Sequence, residues 1–257
     1  MGYIDGMTEP LHILHLTDPH LHAHRDAMMR GLNTFESFTA VINRVSGDAR
    51  KADAIIATGD LVQDETRQGY ERFRDAIGAL DAPVHCVPGN HDSPRIMAET
   101  LSEPPFHFCG THIYDGWRLV MLNSAVRWDD AGRLEATQLK ILESALAKHP
   151  DAHILVGLHH HPLPTGSRWL DGLGLRNSDE FLDIIDRYPN MRGVAWGHVH
   201  QASETLRNGV LMLSTPSTGS QFLPDSDVFM MDSRPPAYRW IDLHSDGSIE
   251  TEVVWLS

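Results

Sequence analysis

Five short segments carry side chains able to hold metal ions: Asp18-Pro19-His20, Gly59-Asp60, Gly89-Asn90-His91-Asp92, His159-His160-His161 and Gly197-His198-Val199-His200. Carboxylate, amide oxygen and imidazole together suit a borderline-to-hard divalent ion such as Mn²⁺, Fe²⁺ or Zn²⁺. The donors outnumber what one open catalytic site uses. They suit two ions about 4 Å apart sharing one carboxylate, an arrangement that activates water against a phosphoester. Taken singly the pieces are weak. A DxH triplet is commonplace and a Gly-Asp pair usually marks a turn, whereas GNHD and GHxH are more specific. The ordered set of five carries the inference.

Each segment follows an apolar run, and that is what would bring them together. Strands are expected at 12–16 (HILHL), 53–58 (DAIIAT), 83–87 (PVHCV), 118–123 (RLVMLN), 153–158 (HILVGL) and 193–196 (GVAW). Helices are expected at 34–50, 66–80, 135–149 and 178–188, the first capped by Asn33 and Glu36. Alternating strands and helices imply βαβ units and mainly parallel sheet. Such a sheet puts the carboxyl ends of its strands on one edge, where ligands bind. Glycines 59, 89 and 197 would let the chain turn sharply as it leaves a strand. Asn208-Gly209 and Asp246-Gly247 mark two hairpins, the second spanning 238–256. No repeat, low-complexity tract or linker divides the 257 residues, so one domain with two packed sheets and helices outside is expected.

Composition narrows the function classes. The net charge of −14 argues against gripping a nucleic acid polymer, which needs a basic face. A small phosphorylated substrate remains compatible if bound metal supplies the positive charge. No apolar run is long enough for a membrane span, and the first ten residues, MGYIDGMTEP, lack the order of a secretory signal. Cytoplasmic residence is therefore expected. Cys86 and Cys109 form no CxxC pair, which excludes a disulfide framework, and Cys86 reads as buried. Of 17 histidines, those outside the five segments, including His15 and His85, read as structural or solvated. His22 and His24 read as rim residues, and Trp169 as bordering the substrate pocket. The other tryptophans read as core or interface.

The ordered set resembles the calcineurin-like metallophosphoesterases over residues 11–220. LTDPHL (16–21), GLNTFES (31–37), ATGDLVQD (57–64), HHHPLP (159–164), LRN (175–177), GHVHQ (197–201) and TPSTGSQF (215–222) more closely resemble the bacterial class III 3′,5′-cyclic-AMP phosphodiesterases. The resemblance implies an α/β fold, a four-layer αββα sandwich of two mixed β-sheets flanked by helices. It implies one metal on Asp18, His20, Asp60 and His200, and a second on Asp60, Asn90, His159 and His198. Iron or manganese is favoured, with Zn, Co or Mg as alternatives. Asp60 would bridge. His91 would face the phosphate and supply a proton to the leaving oxygen, and Asp92 would either orient His91 or serve simple turn chemistry, which its spacing fits equally well. Substrate contacts would fall to His20, Asn90, His91 and His200. His159 aligns as the ligand when Pro162 and Pro164 are matched to the family, with His160 as the alternative. The implied substrate is a cyclic nucleotide. Another phosphodiester or monoester is the alternative within enzymes. A non-catalytic scaffold is disfavoured because every ligand position is filled. A homodimer is compatible with these features.

Overall fold

The apolar runs form strands because they are buried on both faces. In the computed structural model, which describes residues 9–257, Ile13 to Leu16 and Ala54 to Ala57 are all buried. Most of the N-terminal segment read above lies outside the described residues. The first sheet contains β1 (Leu11–Leu16), β2 (Ala54–Ala57), β3 (Val84–Cys86) and β4 (Phe106–Phe108), all parallel. The second contains β5 (Gly110–Tyr114), β6 (Trp117–Met121), β7 (His153–Leu158), β8 (Met191–Trp196), β9 (Ser203–Arg207) and β10 (Val210–Ser214). The hairpin of β11 (Ala237–Leu243) and β12 (Ile249–Trp255) returns to the first sheet, with β11 antiparallel to β1. The strand orders are β12-β11-β1-β2-β3-β4 and β9-β10-β8-β7-β6-β5. Both sheets are mixed, the first through the antiparallel β11 and β12 and the second through β5 and β9, which run antiparallel to their neighbours.

Three cores account for four layers. Helices α1 (Thr34–Ser46), α2 (Arg67–Ile77) and α3 (Pro94–Thr100) pack Phe38, Val41, Tyr70, Phe73 and Met97 onto the outer face of the first sheet. Helices α4 (Ala136–Lys148), α5 (Arg168–Asp171) and α6 (Ser178–Ile185) pack Leu142, Leu170 and Phe181 onto the second. Between the sheets lie Ile13, Ile56, Trp117, Leu155, Ala195 and Ile241. The parity along β1 explains the division, because Leu14 and Leu16 face the helices and Ile13 faces the other sheet. The expected sandwich is observed. The Asn33 side chain accepts from the Glu36 amide, as the capping pattern requires.

Some boundaries differ from expectation. Helix α1 stops at Ser46 because Gly47 caps it, and α2 stops at Ile77, where the three residues after it tighten into a 3₁₀ turn. Strands β4 and β5 are additional to those expected; both are short edge strands with half-exposed positions. Of glycines 59, 89 and 197, only Gly59 needs left-handed backbone, at φ 95°. Gly197 is required instead by close approach, since a Cβ there would stand 2.0 Å from Thr17 Oγ1 and 2.5 Å from Asp18 Oδ2. Trp117, Trp196 and Trp240 are buried, whereas Trp128 is exposed, on a loop.

His15 follows the parity of Ile13 and ties the two sheets together. Its Nε2 lies 2.7 Å from Thr58 Oγ1, beyond β2, and its Nδ1 lies 2.6 Å from Thr215 Oγ1, beyond β10. Burial, assisted by Arg239, lowers its pKa to about 3. The folded protein therefore needs the neutral ring, while the unfolded chain takes up a proton below its ordinary value near 6.5. The His15 contribution is complete above pH 6.5 and is lost as pH falls toward 3, by at most about 1.4 kcal/mol per unit. Replacing His15 with Gln should lower stability at pH 7 but flatten its fall between pH 6.5 and 3. Thermal unfolding across that range checks this, and an unchanged slope would contradict it.

Candidate metal centre

The five segments leave parallel strands and converge. Asp18 and His20 follow β1, Asp60 follows β2, Asn90 and His91 follow β3, His159 follows β7, and His198 and His200 follow β8. All except Asn90 and His91 are fully or nearly fully buried. Asp18, His20, Asp60, His198 and His200 hold left-handed backbone, with φ between 47° and 67°. Such residues cost on the order of 1–3 kcal/mol each when the side chain is not glycine, and persist where surroundings fix them. Here the ties are backbone hydrogen bonds donated by the Asp18 amide to Gly59 O, by the His20 amide to Asp60 O and by the Leu21 amide to Leu61 O. The His198 amide donates to Asp18 Oδ2 at 3.0 Å, joining the loops of the two sheets.

The donors form two sets that meet at Asp60. In the first, His200 Nε2 lies 3.3 Å from Asp18 Oδ1 and 3.2 Å from His20 Nε2, and His20 Nε2 lies 3.8 Å from Asp60 Oδ2. In the second, His159 Nε2 lies 3.5 Å from the same Asp60 oxygen, 3.1 Å from Asn90 Oδ1 and 3.2 Å from His198 Nδ1. Asp18, His20 and His200 are close enough to share an ion, as are Asp18, Asp60 and His159.

Ring orientation tests whether metal fits. His200 Nδ1 faces the Ser220 carbonyl at 2.7 Å, and His159 Nδ1 faces the Thr58 carbonyl at 2.7 Å. A carbonyl only accepts, so both Nδ1 atoms carry hydrogen. In its neutral form each ring presents a bare Nε2 to a carboxylate oxygen, acceptor against acceptor, which a second ring proton or a bound cation relieves. A cation between them removes the repulsion, and imidazoles pinned through the other nitrogen are the usual form of a metal-ligating histidine. Electrostatics agree. Burial works against a charged His159, but Asp60 overrides it and raises the ring to about 9. Burial likewise opposes ionised Asp60, yet His159 and His20 hold it well below the usual carboxylate range. The site attracts positive charge, and its residues fit divalent metal.

The residues around it divide by what they touch. Asp92 does not orient His91. Its carboxylate accepts the amides of Leu61, Val62 and Gly89 and the Tyr70 hydroxyl, so it locks the Asp60 loop to the Asn90 loop. Burial and Asp60 push Asp92 up to about 7, against the pull of these donors. His91 donates its amide to Asp60 Oδ1 and lies within reach of His20 and Asp60, so proximity alone leaves it a ligand candidate. Its Nδ1 is 3.1 Å from the Gln63 amide nitrogen, a contact that sequence reading did not single out. His20, Asp60, Asn90, His91, His198 and His200 line a cavity of about 320 Å³. Met29, Arg30, Trp169, Leu173 and Phe222 wall its far side, so Trp169 borders it as expected and His22 and His24 do not. Arg30 sits in the turn of a small hairpin and lies 4.3 Å over the Phe229 ring.

The pattern of the calcineurin-like phosphoesterase family matches residues 11–202. The chain belongs to this family. A Haemophilus influenzae member named 3′,5′-cyclic adenosine monophosphate phosphodiesterase CpdA is 42% identical over 243 residues, which are 94% of this chain and 88% of that one. The Escherichia coli K12 protein of the same name is 38% identical over 242 residues, with the same coverage. Among solved structures, a dimetal phosphatase from Danio rerio superimposes with a TM-score of 0.64, covering 97% of this chain and 100% of that chain. At 14% identity that likeness speaks to the fold alone. Family membership makes the chain a metallophosphoesterase, in keeping with its donor clusters.

Within this phosphoesterase, the two candidate histidines at the end of β7 differ in environment. His159 faces Asp60 and Asn90, whereas His160 Nδ1 is 2.8 Å from Ser124 Oγ and its other nitrogen is buried without a partner. His160 still lies close enough to His159 and His198 to share an ion with them. His159→Ala should therefore lower metal content after reconstitution with Mn²⁺, and His160→Ala should largely spare it. Elemental analysis checks this, and the opposite pattern would move the ligand by one residue.

Proposed function

We propose that the chain is a dinuclear-metal phosphodiesterase that hydrolyses 3′,5′-cyclic AMP to 5′-AMP in the cytoplasm, with iron or manganese as the resident ions. The observation that carries it is the sharing of Asp60 by two donor sets at the floor of one cavity. One set is Asp18, His20, Asp60 and His200, and the other Asp60, Asn90, His159 and His198. Mixed carboxylate, amide and imidazole donors support the choice of ions.

When bound, two divalent ions supply water activation and charge stabilisation at the phosphoryl group. The chain supplies the rest. Asp60 spans both donor sets through Oδ2 while Oδ1 accepts the His91 amide, which fixes the carboxylate plane. His91 lines the cavity beside His20, their ring centroids 5.3 Å apart, and is placed to donate toward the phosphoryl group. Phe222 and Trp169, in edge contact, offer aromatic surface for a base, and Arg30 brings positive charge to an otherwise acidic protein. The names of the CpdA relatives and their coverage support cyclic AMP over other esters. Two free cysteines support a reducing compartment, and no helix among the described residues is long and apolar enough to cross a membrane.

A hydrolysis panel tests the proposal. Chelated protein should be inactive, and Mn²⁺ or Fe²⁺ should restore turnover with cyclic AMP ahead of cyclic GMP, 2′,3′-cyclic AMP and bis(p-nitrophenyl) phosphate. Activity in verified metal-free protein would contradict the metal assignment. Hydrolysis of the other esters without cyclic AMP would point to a broader phosphodiesterase.

A further inference from the structure

Gln63 is three residues past Asp60, and its amide touches two histidines at once. Gln63 Oε1 lies 2.8 Å from His20 Nδ1, and Gln63 Nε2 lies 3.1 Å from His91 Nδ1. Its backbone is fixed by an amide bond to Leu21 O at 2.8 Å, so the side chain starts from a firm base. An amide has one accepting end and one donating end, and it can give only one of them to each neighbour. The consequence depends on the metal reading of His20.

If His20 binds metal through Nε2, the atom facing Asp18, Asp60 and His200, its hydrogen sits on Nδ1. That hydrogen needs an acceptor, which assigns the Gln63 oxygen to His20. The amide NH₂ is thereby turned to His91. A donor facing His91 Nδ1 requires a lone pair there, so the single ring hydrogen of His91 sits on Nε2.

We infer that Gln63 sorts the two histidines, holding His20 as a metal ligand and His91 as an Nε2–H hydrogen-bond donor. It is a positioning residue, acting through both rings. His91 then has no bare nitrogen to offer an ion, because Nδ1 is engaged by the amide and Nε2 carries hydrogen. This separates His91 from His20 despite their proximity. It also defines the work of His91 in the proposed reaction. Giving up the Nε2 hydrogen would leave an anionic ring, so the residue stabilises charge on a phosphoryl oxygen and does not protonate the leaving group. This departs from the proton-donor role expected from sequence.

The test reads hydrogen positions directly. Protein loaded with diamagnetic Zn²⁺ and carrying ¹⁵N-histidine is examined by long-range ¹H–¹⁵N correlation. His91 is expected as the Nε2–H tautomer and His20 as Nδ1–H. Gln63→Glu offers only acceptors and should switch His91 to Nδ1–H. Turnover on cyclic AMP should fall on the order of 10- to 100-fold, the usual scale for a partner behind a ligand, with KM little changed. The factor should be the same for bis(p-nitrophenyl) phosphate, whose leaving group needs no proton. Wild-type His91 found as Nδ1–H or doubly protonated would overturn the inference, as would an unchanged tautomer in folded Gln63→Glu. The wild-type spectrum decides the matter even if the variant does not fold. Because it uses no substrate, failure to hydrolyse cyclic AMP would count against the proposed substrate and leave the tautomer result standing.

Discussion

Acceptor atoms pointed at one another are the constraint on which this structure turns. His159 and His200 are pinned by backbone carbonyls, so in the neutral form their bare nitrogens face carboxylate oxygens at 3.5 and 3.3 Å. Both rings and both carboxylates are buried, which strengthens the repulsion relative to water. Only positive charge relieves such an arrangement, and the local electrostatics draw it in through Asp60. The surrounding elements serve to hold these groups in place.

That holding is distributed. Five of the site residues keep left-handed backbone, and the loops that carry them are cross-bonded. Asp92 gathers the amides of two loops, Gly197 and Gly59 permit contacts that any Cβ would obstruct, and His15 bridges the sheets a few residues from Asp18. A site built on strand ends gains rigidity from the four-layer packing behind it. The acidic surface is then no obstacle to a phosphorylated substrate, because attraction is concentrated at the centre, with Arg30 at the cavity wall.

The donor residues were legible because their types are unusual after apolar runs and because parallel strands share an edge. Asp18, Asp60, Asn90, His159, His198 and His200 meet as their order implied. The hairpins at Asn208-Gly209 and Asp246-Gly247 were legible for the same local reason, a turn chemistry that few residues satisfy. Gln63 was not, since an amide in ATGDLVQD has no pattern that distinguishes a bridging side chain from a solvated one. Nor were the carbonyls of Thr58 and Ser220, which every residue possesses and only the fold aims. Asp92 sat in the GNHD motif, yet besides the nearby Gly89 amide its partners are the Leu61 and Val62 amides and the Tyr70 hydroxyl, which only the fold brings to it. Strands β4 and β5 were missed because runs of three and five residues are too short for a pattern to stand out from a loop.

The central claim is that one carboxylate, Asp60, joins two metal sites. Elemental analysis of protein reconstituted with Mn²⁺ tests it most directly, comparing wild type, Asn90→Ala and Asp60→Ala, each shown to be folded by circular dichroism. The account expects two ions per chain in wild type, partial loss in Asn90→Ala and the greater loss in Asp60→Ala, since an amide oxygen serves one ion without charge and the carboxylate serves both. Two ions retained in folded Asp60→Ala would contradict it.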